Sequence, residues 1–311
     1  MPLMTRRELL LGSLTTASLY GKSKIDRSRI SAITDEIAKT PQEAIDFAHQ
    51  YRLQNVELRN VPGGKEYAFL PEAEVKLAAT QFARNGLKVS FLNSSLLKYP
   101  WPGTEPVGLT RTQRTETPEA RAARTQAASN RFEHRMDELR TAINNCHILG
   151  VDLLRVFTGT RTAEPEKQVP RIIDVLGEMT LVAEKEKIHL LIENEYSCNI
   201  GTSAELAAIL KKLPSKWIGA NWDSMNGLEL NEKPYPDGYD VLPKNRIGNV
   251  QVKGKQLLDY PEKLDFKPIF QRLEKDGYQG KIGLETHIPG PGLIDASHAS
   301  MREILRIVEE L

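Results

Sequence analysis

Eight short apolar runs recur along this chain, most of them followed by a segment of helical periodicity. They are SAITDEI (31–37), NVELR (55–59), KVSFLNSS (88–95), LLRVFTG (153–159), HLLIENE (189–195), WIGANWD (217–223), IGNVQVKG (247–254) and KIGLETH (281–287). Strands that alternate with helices read as βα units and a parallel sheet. Eight such units over about 280 residues match a (β/α)8 TIM barrel. The boundaries read from this pattern are a single barrel domain over 29–311 and a separate leader over 1–24.

Local signals support the alternation. Thr40 is an N-cap candidate, with Pro41 at the first helical position and Glu43 completing a capping box. A helix over 70–85 would bury Leu70, Ala73, Leu77, Ala78 and Phe82, and Gly86 would stop it. The stretch from Leu96 to about Ala120 contains YPWPGTEP, which neither helix nor strand tolerates, and reads as a long functional loop. The weakest helix signal follows the sixth strand, in ELNEKPYPDGYDVLPKN.

Composition narrows the class. The chain has 311 residues and a net charge of +1, so nothing favours nucleic acid or an anionic membrane surface. Its six histidines, few of them near strand ends, argue against a multi-zinc phosphodiesterase. The two cysteines, Cys146 and Cys198, suggest neither a disulfide framework nor a zinc ribbon. The N-terminus reads MPLMTRRE, then a mildly apolar LLLGSLTTASLYG. The Arg6–Arg7 pair ahead of a weakly hydrophobic segment predicts a twin-arginine signal peptide over 1–24 and a periplasmic protein, with no membrane association once the signal is removed.

The last four runs each carry an oxygen-bearing side chain at or near the C-terminal end: Glu193, Asp223, Gln251 and Glu285. Strand ends of a TIM barrel converge on one face. Three carboxylates and an amide at one spot are costly unless a cation neutralises them, which predicts a metal site.

Taken in order, TDEI, VELR, LLIENE, NWDSMNG, PYPDGY, NVQVKG and LETH resemble the sugar phosphate isomerase/epimerase family with a xylose-isomerase-like barrel, from about Ile30 to the C-terminus. The resemblance implies that Glu193, Asp223, Gln251 and Glu285 bind one divalent metal. One departure stands out: the strand-seven ligand is often histidine in a pattern like HVHVKD, and here it is Gln251, as in hydroxypyruvate isomerases, with Gly254 in place of the aspartate. An all-oxygen ligand set favours Mn2+ or Mg2+ over zinc. The implied reaction is isomerisation or epimerisation of a free or keto sugar through an enediolate, with Glu193 and Glu285 exchanging protons as base and acid. Elimination from a 3-keto-glycoside or cyclitol shares the first step, and a non-catalytic sugar-binding barrel would use the same pocket. Lys253 and His287 share a strand face with Gln251 and Glu285, and Asn226, Glu57, Arg59 and the loop residue Trp101 complete the expected substrate contacts. Members of this family are often dimers or tetramers, so the resemblance allows a homo-oligomer.

Overall fold

The computed structural model describes residues 24–258 and 264–311. The leader expected over 1–24 lies outside the described residues except for its last position. Eight parallel strands form the barrel: β1 (Ile30–Ala32), β2 (Asn55–Leu58), β3 (Lys88–Leu92), β4 (Leu153–Val156), β5 (His189–Glu193), β6 (Ile218–Asp223), β7 (Ile247–Lys253) and β8 (Lys281–Glu285). Each pairs with its sequence neighbour from β2 to β8, and β8 pairs with β1. A single parallel bridge from Ile33 to Glu57 joins the β1 and β2 edges, so the barrel is nearly closed.

The outer helices follow from capping and apolar spacing. The Thr40 hydroxyl accepts the Glu43 N–H at 3.2 Å and starts the helix Pro41–Gln50. The Glu43 carboxylate reaches back to the Lys39 N–H (2.8 Å), one residue before the cap itself. Helix Phe266–Lys275 buries Phe266, Ile269, Phe270 and Leu273, the i, i+3, i+4, i+7 stripe of a helix on a core. Helix Glu72–Arg84 buries Val75 and Phe82, while Leu77, expected on its inner face, is 71% exposed.

Three expectations change. The end of the first run, Thr34–Ile37, forms a helical turn. Its two acids are drawn into side-chain pairs, Asp35 and Glu36 both with Arg59. The irregular stretch ends near Ala120 as expected, but a helical turn at Arg111–Arg114 interrupts it, and Thr117 caps a helix over Pro118–Glu133 that precedes Arg135–Leu149. After β6 no long helix forms; the chain makes short turns at Ser224–Leu228, Pro234–Gly238 and Tyr239–Val241.

The barrel interior below the site holds a buried carboxylate. Glu57 is fully buried and accepts from Ser31 Oγ (2.7 Å), Gln251 Nε2 (2.8 Å), Asn93 Nδ2 (3.1 Å) and Asn249 Nδ2 (3.4 Å). Burial pushes its pKa up, and the four donors pull against that shift. Gly283 makes room for this carboxylate: a Cβ there would lie 2.0 Å from Glu57 Oε1. Gly283→Ala is therefore expected to destabilise the protein by about 1–3 kcal/mol, the cost of overpacking a filled interior. Gly108→Ala, where a Cβ meets nothing, should stay within about 0.5 kcal/mol. Urea unfolding of the two variants checks the contrast; equal midpoints would show that the Glu57 carboxylate is free to move.

Candidate metal and substrate site

The C-terminal ends of β5, β6 and β8 bring Glu193, Asp223 and Glu285 together, with one carboxylate oxygen from each lying within 4.8 Å of the others. All three side chains are buried. Asp223 is held from two directions. Asn194 takes part in a reciprocal pair with its backbone, donating to its C=O (2.7 Å) and accepting its N–H (2.9 Å). Asp223 Oδ1 caps the next turn, accepting from Met225 N (2.9 Å) and Asn226 N (3.2 Å). That leaves Oδ2 directed at Lys253.

Cations surround this triad. Lys253 Nζ donates to Glu285 Oε2 at 2.7 Å and lies 3.0 Å from Asp223 Oδ2. Arg155 Nη1 donates to Glu193 Oε2 at 3.0 Å. Arg59 donates to Glu285 Oε1 (3.0 Å), Asp35 Oδ2 (2.8 Å) and Glu36 Oε1 (2.7 Å), clamping β8 to the turn after β1. Burial alone would raise the pKa of Glu285, but Lys253, Arg59 and Arg155 override it and hold the carboxyl below its ordinary range. Burial, helped by the charges of Glu193 and Glu285, pushes Asp223 up to about 7 against the pull of Lys253. Glu193 differs from its neighbours in having an open oxygen. Its Oε2 takes both Arg155 and Asn221 Nδ2 (2.7 Å), and its Oε1 accepts no hydrogen bond among the described residues.

Gln251 lies beside Asp223 in the β6–β7 register. Its amide points down into the barrel, where Nε2 donates to Glu57. A carboxylate in a site of this kind accepts only, so Glu57 determines which end of the amide faces it. The oxygen, Oε1, is the opposite end, buried and without a hydrogen-bond partner. Three convergent carboxylates and one unpartnered amide oxygen are a donor set suited to a hard divalent cation. The residues that would hold it are Glu193, Asp223, Glu285 and Gln251, with Lys253 as the competing charge.

Above the triad lies an inner cavity of about 250 Å3, lined by Arg59, Lys98, Arg155, Glu193, Glu195, Asn226, Lys253, Glu285 and His287 among others. It adjoins a wider cleft of about 740 Å3 that shares Tyr196, Asn226, Lys253 and His287 with it and extends to Met225 and Leu293. Asn226 is buried, and its Nδ2 has no partner among the described residues. His287 is a non-glycine residue in left-handed conformation (φ 51°). Its N–H is held by Glu36 Oε2 (2.8 Å), and its ring, half exposed, has Nδ1 3.8 Å from Glu285 Oε1.

Two expected substrate contacts lie elsewhere. Glu57 is under the site rather than on the cavity wall. Trp101 is 2% exposed and packed against Phe132 (5.3 Å between ring centroids), with the Arg171 guanidinium over its ring at 5.4 Å. Its indole also covers Gly159, where a Cβ would lie 2.9 Å from Nε1. The aromatic loop residue is thus consumed by packing between the insertion and the following helices. Sequence reasoning passed over Lys98, which pairs with Glu195 (2.8 Å), and Asn221. Asn221 stands two residues before Asp223 on the same strand face, a period-two signal that was there to read. Lys98 lies in a loop and carries no such signal.

The comparisons with known proteins agree with the fold. A comparison with curated protein sequences finds no match. Among solved structures, the IolI protein with a bound zinc atom superposes with a TM-score of 0.67 at 13% identity, covering 91% of this chain and 98% of that one. The 3-keto-D-glucoside 4-epimerase YcjR from E. coli gives 0.62 at 14% identity, with 90% and 98% covered. A xylose isomerase-like TIM barrel protein from Mycobacterium smegmatis in complex with magnesium gives 0.64 at 14% identity, with 92% and 99% covered. The family model described as xylose isomerase-like TIM barrel matches residues 45–306. That match spans most of the barrel, the three convergent carboxylates and Gln251, and the chain belongs to the xylose isomerase-like TIM barrel family.

Proposed function

We propose that this protein is a divalent-cation-dependent carbohydrate isomerase or epimerase that removes a proton from carbon next to the carbonyl of an uncharged keto sugar. The observation that carries the reading is the open oxygen of Glu193 beside Asp223 and Glu285 under a polar cavity. Glu193 Oε1 is the general base, since its other oxygen is fixed by Arg155 and Asn221 and the carboxylate is thereby oriented. Glu285 is kept ionised by Lys253 and Arg59, so in isomerisation Glu193 itself returns the proton it took to the neighbouring carbon, and in epimerisation Glu285 takes a proton from solvent, once one of those cations has moved away, before delivering it to the opposite face. Asn226 Nδ2 and the His287 ring are placed to bind substrate oxygens at the junction of the two cavities. A divalent ion, Mn2+ or Mg2+, held by Glu193, Asp223, Glu285 and Gln251 would supply Lewis-acid stabilisation of the negative charge that develops on the substrate.

Charge selects the substrate class. Every cation that lines the inner cavity already has a carboxylate: Arg59 with Asp35, Glu36 and Glu285, Lys98 with Glu195, Arg155 with Glu193, and Lys253 with Asp223 and Glu285. A sugar phosphate would find no uncommitted partner for its charge, whereas hydroxyls can share these groups as donors and acceptors. The similarity to an epimerase of 3-keto-D-glucosides supports a keto sugar or glycoside as the substrate. The paired Arg6 and Arg7 support export by the twin-arginine route, which fits a free sugar or glycoside better than a cytoplasmic metabolite.

Deuterium wash-in tests the chemistry. In D2O with Mn2+, the protein should exchange a carbon-bound hydrogen of a 3-keto-glucoside or a free ketohexose, read by NMR. Glu193→Gln should lower the rate by about 10²–10⁴-fold, the usual worth of a positioned base. A folded wild-type protein that exchanges nothing across the panel would leave only a binding role. For localisation, the protein should reach the periplasm, and Arg6→Lys together with Arg7→Lys should retain it in the cytoplasm; fractionation reads both, and export that survives the double change would exclude this route.

A further inference from the structure

We propose that Lys253 is a built-in counter-ion of the site, whose ammonium and the divalent cation compete for the same two oxygens, so that metal loading and movement of Lys253 are one event. The inference rests on the metal-dependent reading above and deepens it. Lys253 ends β7, buried, with Nζ 2.7 Å from Glu285 Oε2 and 3.0 Å from Asp223 Oδ2. Both carboxylates belong to the triad in which one oxygen from each residue lies within 4.8 Å of the others; Arg59 holds Glu285 Oε1 and the following turn holds Asp223 Oδ1, so Oε2 and Oδ2 are the oxygens left for a cation. An oxygen that binds a small divalent ion at about 2.1 Å has no room for an ammonium hydrogen bond from the same side. Two cations at that spacing also repel strongly in a buried site.

The structure offers the ammonium another position. Lys253 is buried but lines both cavities, so the space beside its side chain is cavity as well as triad. Glu195 lines the same inner cavity, is buried, and is close enough for the Lys253 charge to act on it. Gly254, immediately after Lys253, packs closely: a Cβ there would lie 2.6 Å from Ser300 Oγ and 3.0 Å from the Thr286 carbonyl oxygen. The backbone at that point is therefore confined, and the movement belongs to the lysine side chain. In this arrangement the ammonium neutralises the carboxylates until the metal does, and then shares the Glu195 carboxylate with Lys98, so that it stays paired in both states.

Mn2+ binding to the full protein, followed by calorimetry and by the EPR signal of free Mn2+, tests the competition in wild type and Lys253→Met. The variant keeps the stem and removes the charge. It should bind Mn2+ at least about tenfold more tightly, a factor worth about 1.4 kcal/mol. Its metal-free form should melt below wild type, and Mn2+ should restore more of its midpoint than it adds to wild type. Equal or weaker Mn2+ binding by a folded variant would overturn the counter-ion role while leaving the metal site intact. Absence of Mn2+ binding in both proteins would overturn the metal-dependent reading itself, and this inference with it. Because the variant can fail to fold, wild type provides a second readout: in a Mg2+ titration, the 15N resonance of the Lys253 ammonium should shift in step with occupancy measured by calorimetry. A resonance that stays fixed through saturation would overturn the proposal.

Discussion

Charge balance at the barrel mouth is the constraint on which the rest of this site depends. Glu193, Asp223 and Glu285 are buried within a few ångströms of one another, an arrangement that repels itself and sheds its hydration. Arg59, Arg155 and Lys253 offset that cost, each from a different strand or its end. Because β2, β4 and β7 all contribute, the compensation ties both halves of the barrel to the triad. It also leaves the carboxylates unequal: Glu285 is covered on both oxygens, Asp223 is pushed up by burial and its neighbours, and Glu193 retains an open edge. Three identical functional groups acquire different chemistry from their surroundings alone.

The fold was largely legible in the sequence, because strand-plus-helix alternation leaves a strong pattern even without a relative to compare. The eight runs became eight strands, and Glu193, Asp223 and Glu285 came together as their position at strand ends implied. Departures arose where side chains compete for local structure. Thr34–Ile37 turned helical where Asp35 and Glu36 pair with Arg59, the residue after β2 and a partner distant in sequence. Trp101 read as a substrate contact because it sits in the loop after the third strand, yet the Phe132 ring and Arg171 guanidinium that enclose it come from helices further along the chain. Glu57 read as a wall residue from its strand position, but depth within a barrel is set by neighbouring strands, and here Gly283 on β8 leaves room for its carboxylate.

Gln251 shows why a ligand set cannot be judged from residue types alone. An amide can present either end, and sequence says nothing about which. Here an acceptor-only carboxylate beneath it takes the nitrogen and leaves the oxygen unpartnered. The loss of imidazole chemistry at this position is therefore accompanied by a device that makes the amide behave as an oxygen donor. The Asn249 and Asn221 amides extend the same layer toward Glu193, through bonds of 3.0 Å and 2.7 Å.

That layer of Glu57 and its amide donors has a consequence for transplanting the site. Most barrel interiors are filled with branched aliphatic side chains. A scaffold of that kind could accept Glu193, Asp223, Gln251 and Glu285 at its strand ends and still present them in the wrong attitude, with the glutamine free to turn over and the base unsupported. The portable unit is deeper than the mouth: it includes the floor, and the glycine that lets the floor exist.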